Sequence, residues 1–535
     1  MPRSLAALTL AVTLACSARA ARATFPPGFL WGTAISGFQT DMGGKQGYND
    51  PNSDWWVWAH DTNNISQHRV SGDLPETGPA FYDKFRTQTR KARTGLRSNT
   101  LRLGIEWSRI FPTSTAGVDT SGGITLHVLE QLDALANQAE VSHYRAVFGA
   151  LRRAHLKPFV TVNHFSLPLW IHDPIAARDA FTGSDPNGPP PSGFGPGGWL
   201  DAGTATEFAK YAAYLGWKFG DQVDLWAPLN EPEVVAVSGY VNIPGLFAAN
   251  FPPGVFSFTA TIQVMENEIQ ANAAAYDALK QWDTVDADGD GVAATVGLVQ
   301  NMVAFHPKDP MNPLDVQGTQ HADYLFNLLF LNGAIHGDVD ANANGTIDSG
   351  EHHPELVGKA DFVGVNYYFR AVVTGLGVPI TPVIPILDFI PTTSYQTPHN
   401  PTGQPCPSTC SDFGWEIYPT GLREMLTEVA TYGLPVYITE NGIADADDNQ
   451  RPAYLVHHLE VLEQAIADSV ADVRGYYHWA LMDNFEWASG YWPQFGLYGV
   501  DAQKRLVTRQ SGRDYKRIAR GNAIPANLVT LFGPP

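Results

Sequence analysis

The sequence predicts one α/β domain, a single (β/α)8 TIM barrel with long loop insertions. Three observations carry this reading. Eight short β-rich runs recur along the 535 residues, at 29–36, 100–107, 157–164, 225–231, 295–301, 362–368, 435–440 and 473–479. Between them lie stretches with apolar residues at helical spacing, such as 206–219 and 454–467. Polar and aromatic residues collect where the runs end, and in such barrels that face holds the active site. An open doubly wound sheet explains less, because no glycine-rich phosphate loop follows the first run.

The insertions fit the same frame. Pro/Gly-rich stretches at 183–198 and 375–407 follow the third and sixth runs, so both should lie on the active-site side and shape the entrance. No repeat and no Ser/Gly-rich linker divides the chain, so residues 24–535 form one domain. The first 23 residues read as a secretory leader. Arg3 starts it, residues 5–15 are apolar, and Ala18-Arg19-Ala20 or Ala21-Arg22-Ala23 offers the cut. The expected location is therefore extracellular or periplasmic. Cys16 could anchor a lipid, but Thr13-Leu14-Ala15 fits a lipoprotein signal poorly. The remaining Cys406 and Cys410 are either bonded or free, and an oxidising compartment favours the bond.

Composition narrows the function. With 34 basic and 54 acidic residues the chain carries −20, which argues against nucleic acid and anionic membranes. It suits a soluble protein acting on a neutral substrate; the oligomeric state is not legible. Aromatic residues make up 11%, enough for a large core and an aromatic-lined sugar site. Two strings then point to chemistry. Asn230-Glu231-Pro232 follows the apolar run 225–229, and Thr439-Glu440-Asn441-Gly442 follows 435–438. A carboxylate where a buried strand stops costs stability unless hydrogen bonds or chemistry keep it there. Two of them, about two hundred residues apart, suggest the paired carboxyls of a glycoside hydrolase.

Further strings carry a resemblance. Phe38-Gln39, residues 101–112 (LRLGIEWSRIFP), Asn163-His164-Phe165, Val365-Asn366-Tyr367-Tyr368 and Asp483-Asn484-Phe485-Glu486-Trp487 join the two above in order. Together the chain resembles glycoside hydrolase family 1, the β-glucosidase and β-galactosidase family, over nearly all of its mature length. Phe165, Gln39-Thr40-Asp41-Met42-Gly43, residues 70–76 and residues 411–416 resemble the branch from heat-loving archaea. A secretory leader departs from those mostly intracellular relatives.

The resemblance implies retention of anomeric configuration, with two carboxyls about 5 Å apart. It makes Glu231 the acid/base and Glu440 the nucleophile, held ionised by Arg102 and Tyr368. Asn230 would bind the sugar 2-hydroxyl. Gln39, His164, Glu486 and Trp487 would hold the other hydroxyls over a floor of Trp479, with Asn366 supporting. No cofactor is needed for catalysis. The expected substrate is a small β-glycoside or oligosaccharide, cut from its non-reducing end to release glucose, galactose or fucose. A transferase of the same family would keep every residue named.

A second chemistry is written in the residues themselves. Asp340, Asn342, Asn344, Thr346, Asp348 and Glu351 fall at positions one, three, five, seven, nine and twelve of a calcium loop, with Gly345 at six. Asp286, Asp288 and Asp290 open a second loop that lacks an acid at position twelve and would bind more weakly or borrow ligands. Both precede strands, five and six. The expectation is a structural Ca2+ on the barrel face opposite the active site, tying the two loops together and leaving turnover untouched.

Overall fold

The computed structural model describes residues 24–45, 48–243 and 249–535. The leader over residues 1–23 therefore lies outside the described residues. Eight parallel strands form the barrel: Leu30–Ala34, Thr100–Gly104, Lys157–Asn163, Leu225–Leu229, a fifth split into Thr295–Val296 and Leu298–Pro307, Val363–Gly375, Val436–Asn441 and Val473–Trp479. The first pairs with the second and with the eighth. The fifth closes the ring, since its first piece pairs with the fourth strand and its second with the sixth. Gly297 N–H donates to Trp226 O at 3.0 Å across the split, and Glu231 N–H to Val299 O at 2.9 Å. A side chain at Gly297 would meet the Phe362 ring at 2.5 Å, so only glycine lets these strands approach.

The strands form where apolar and β-branched residues alternate or run on, and their inward residues fill the barrel. Ala34, Phe159, Leu225, Ala227, Val299, Phe362, Tyr437 and Tyr477 pack there as one buried cluster. Helices wrap the outside over a second, larger apolar cluster. Helix Gly203–Phe219 starts three residues before its expected position, and helix Arg451–Ala467 starts at an Arg-Pro pair that suits a first turn. The last long helix, Gln510–Gly521, is fastened to the first strand by Tyr515, whose hydroxyl donates to Gly32 O at 2.6 Å.

Three boundaries differ from expectation for identifiable reasons. The fourth strand stops at Leu229, because Glu231 adopts a left-handed backbone (φ 48°) and caps helix Pro232–Tyr240. The fifth and sixth strands run past the barrel rim to Pro307 and Gly375, where Phe389–Thr392 adds antiparallel to the sixth. The second insertion is thus partly a strand, and Ile380, Ile384 and Phe389 from it wall the cavity over the barrel mouth. The first insertion takes a more lateral course. Pro186 O accepts from Phe258 N at 2.9 Å and Asn187 Oδ1 from the Thr381 hydroxyl at 2.5 Å. Residues 183–198 do not reach the cavity lining. Cys406, at the end of the second insertion, and Cys410, just beyond it, form a disulfide. No helix among the described residues is long and apolar enough to cross a membrane.

Candidate active site

Both glutamates are delivered to one place by strand ends. Glu231 follows the fourth strand, and its left-handed turn aims the side chain over the barrel mouth. Glu440 is the penultimate residue of the seventh strand and is 3% exposed. A register shift between Val365 and Asn366 in the sixth strand sets Asn366 opposite Glu440. The Asn366 amide donates to Glu231 Oε1 at 2.7 Å and lies 3.3 Å from Asn230 Oδ1. Asn366 is itself held by Thr439, whose hydroxyl donates to its Oδ1 at 2.7 Å.

The two carboxyls have different surroundings. Arg102, from the second strand, donates to Glu440 Oε1 and to Asn230 Oδ1, both at 2.5 Å. The Tyr368 hydroxyl donates to Glu440 Oε2 at 2.5 Å. Burial pushes the Glu440 carboxyl up, while the guanidinium and the phenol oppose that push. Glu231 accepts only from amides, Asn366 and, at 3.0 Å, Asn301. Burial first, then the charge of Glu440, raise it to about 8. The pair therefore shares its charge unevenly, with the proton on Glu231 and the anion on Glu440.

A polar and aromatic pocket surrounds them. His164 stacks between Trp479 (5.7 Å, 18°) and Trp487 (6.0 Å, 17°). Burial and the nearby Arg102 hold its imidazole well below the usual range, so it is neutral. Its Nε2 faces the Asn230 amide at 3.3 Å. Glu486 opens onto the cavity; burial and the charges of Glu440 and Glu231 raise it to about 8. Gln39 lies beneath it, its amide donating to Phe485 O at 2.9 Å and Asn484 Oδ1 at 3.2 Å, with Glu486 Oε2 at 3.5 Å. Gly442 permits this assembly: a Cβ there would sit 1.9 Å from Trp479 O. A cavity of about 500 Å3 contains His164, Glu231, Tyr368, Glu440, Trp479, Glu486 and Trp487 in its wall.

Comparison with known proteins decides what this arrangement belongs to. The model of glycosyl hydrolase family 1 matches residues 21–176 and 190–524. The chain belongs to glycosyl hydrolase family 1.

Its relatives include a β-galactosidase from Pyrococcus woesei, 41% identical over 94% of this chain and 98% of the relative. A β-galactosidase from Saccharolobus solfataricus is 37% identical over 96% and 98%. The solved β-glycosidase from the hyperthermophile Thermosphaera aggregans superposes with a TM-score of 0.81 at 34% identity, covering 96% of this chain and all of that one. The fold is accordingly the family's TIM barrel and the protein is a glycoside hydrolase, similar to archaeal relatives as the motifs implied.

Within this family-1 site, sequence reasoning missed three residues. Asn301 bridges Glu231 and, through its backbone N–H at 2.7 Å, buried Glu233. Thr161 accepts from Arg102 Nε at 3.0 Å, and Thr439 orients Asn366. Asn301 and Thr161 act across strands far apart in sequence, so no local string announces them; Thr439 stands in the string of Glu440, but its partner Asn366 lies on another strand. Asn301 lay at the end of a predicted strand, the one signal available.

The acidic loops divide. In the first, Asp340 accepts from Asn344 N and Gly345 N, and from the Tyr324 hydroxyl at 2.8 Å. Glu351 accepts from Ala341 N and Asp348 N, so positions one and twelve close the loop. Its placement corrects the expectation. Val339, Asp340 and Ala343 wall the same cavity as Glu231 and Glu440, not the opposite face. The preceding helix ends at Gly337, and residues 337–362 are long enough to climb the barrel's flank and pack Gly345 on Ile386. The second loop does sit at the opposite face, beside the start of the third and fourth strands. Asp286 and Asp288 gather there with Asp224, the borrowed acid, their oxygens within 4.8 Å of one another. Lys157 pairs with Asp288 and lies 3.6 Å from Asp290. The loops have separate neighbours, so one ion does not tie them together.

Proposed function

We propose that this family-1 hydrolase is a secreted, retaining exo-β-glycosidase that removes terminal β-glucosyl, and also galactosyl or fucosyl, residues by double displacement. The observation that carries the reading is the uneven pair: Glu440 held by Arg102 and Tyr368, Glu231 held only by amides. Glu440 attacks the anomeric carbon, and Glu231 gives its proton to the leaving oxygen. A covalent glycosyl-enzyme forms on Glu440. Glu231, now ionised, takes a proton from water, which attacks the same carbon and restores the starting configuration.

Asn230, His164, Gln39 and Glu486 are assigned the sugar hydroxyls, with Trp479 beneath the ring and Trp487 beside it. Buried polar acceptors of this kind discriminate hydroxyl positions, because leaving one unpaired is costly. A 6-phosphate would meet the Glu440 anion and, among the described residues of the lining, no Lys or Arg, which favours an unphosphorylated glycone. Release of chromophore from an aryl β-glucoside tests the assignment. Glu440→Gln should lower kcat by about 10³-fold or more; a rate comparable with the unaltered enzyme would overturn it.

Two finer readings go with this. The leader pattern at residues 1–23 supports export from the cytoplasm. The oxygen donors of residues 340–351 suit a hard cation, and we assign Ca2+ there as a structural ion with no part in catalysis.

A further inference from the structure

We infer that the cavity beside the catalytic pair is an acceptor site for a long apolar aglycone, such as an alkyl chain, and not for a second sugar. This rests on the reading of the pair as a glycosidase centre.

The cavity does not end at the sugar pocket. It continues outward between helix Phe258–Trp282 and the helix that begins at Pro313–Asp323, under the insertion after the sixth strand. Its walls there are predominantly apolar, built by Val237, Met265, Leu325, Leu329, Ile380 and Ile384. Apart from the groups of the sugar pocket, the charged residues in the lining among the described residues are Glu266 and Asp340. Both oxygens of Asp340 already accept hydrogen bonds from Tyr324, Asn344 and Gly345. A second sugar placed here would lose its water and find few partners. A hydrocarbon would lose nothing and leave water.

The backbone of one wall supports a built feature. The helix from Pro313 widens into π turns at Tyr324–Leu328 and Asn332–His336, on either side of Leu329–Leu331. Such turns are rare and concentrate at functional sites. Here Leu325 and Leu329, from this widened stretch, face the cavity while Tyr324 fastens to Asp340. At about 500 Å3 the whole space falls within the usual range of small-molecule pockets and leaves room beyond a single hexose.

The test is kcat/KM for methyl, butyl, hexyl and octyl β-glucosides, with cellobiose and cellotriose in parallel. The series should climb about two- to fourfold for each added methylene until the cavity is filled, with no comparable gain from cellobiose to cellotriose. Leu325→Gln and, on the facing wall, Ile380→Gln should each lower the octyl-to-methyl ratio severalfold. Two variants on separate elements guard against one that fails to fold. A flat alkyl series, a larger gain from the added glucose, or an unchanged ratio in both folded variants overturns the inference alone. Absence of turnover for every glycoside, the methyl one included, would overturn the glycosidase reading as well.

Discussion

Tyr368 shows how much one hydroxyl can set in this site. Its hydrogen bond and the Arg102 guanidinium are what resist the upward push of burial on Glu440. The proposed double displacement requires Glu440 ionised and Glu231 protonated, so the pH profile should be bell-shaped. The alkaline limb belongs to Glu231, whose carboxyl stands near 8, and activity falls as pH rises through it. The acid limb belongs to Glu440, and activity falls as pH drops through it. Tyr368→Phe removes a bond that favours the anion, so the acid limb should move to higher pH, while the alkaline limb keeps its place. A profile of kcat/KM measured for both proteins checks this. At this scale the sequence was readable where chemistry leaves a local trace. Glu231 and Glu440 stand out because each ends an apolar run. Asn301, Thr161 and Thr439 do not, because their importance comes from partners on other strands.

Among elements, the eight strands were legible from apolar runs, and their ends less so. The left-handed turn at Glu231 cut the fourth strand short, and strands five and six continued beyond the barrel because Phe389–Thr392 gives the sixth a partner. The loop 340–351 was recognisable by its spacing, yet its position was not. Sequence order placed it below the barrel, whereas packing on Ile386 and Tyr324 brings it to the cavity wall. Calcium binding there should stabilise the folded protein through mass action. With 1 mM Ca2+ against excess chelator, Tm should rise by several degrees, and Glu351→Gln should remove most of that rise. An identical Tm in both conditions, with no heat of binding in calorimetry, would contradict the assignment.

Across the whole molecule, barrel closure is what turns two remote strings into one site. Glu231 and Glu440 come from the fourth and seventh strands; Asn366 of the sixth holds the first, Arg102 of the second holds the other, and both reach Asn230 Oδ1. Export of the whole chain is checked by sequencing the N-terminus of protein recovered outside the cytoplasm. A start at Ala21 or Thr24 supports it, and retention inside with an intact Met1 contradicts it. In the proposed double displacement one carboxyl attacks while the other, across a single sugar, gives and then takes a proton. Proton NMR of the first sugar released from an aryl β-glucoside, recorded before mutarotation, reads this directly. The uneven pair predicts the β-anomer as the initial product. An initial α-anomer would mean that water attacks in a single step, and the assignment of Glu440 as nucleophile would be wrong.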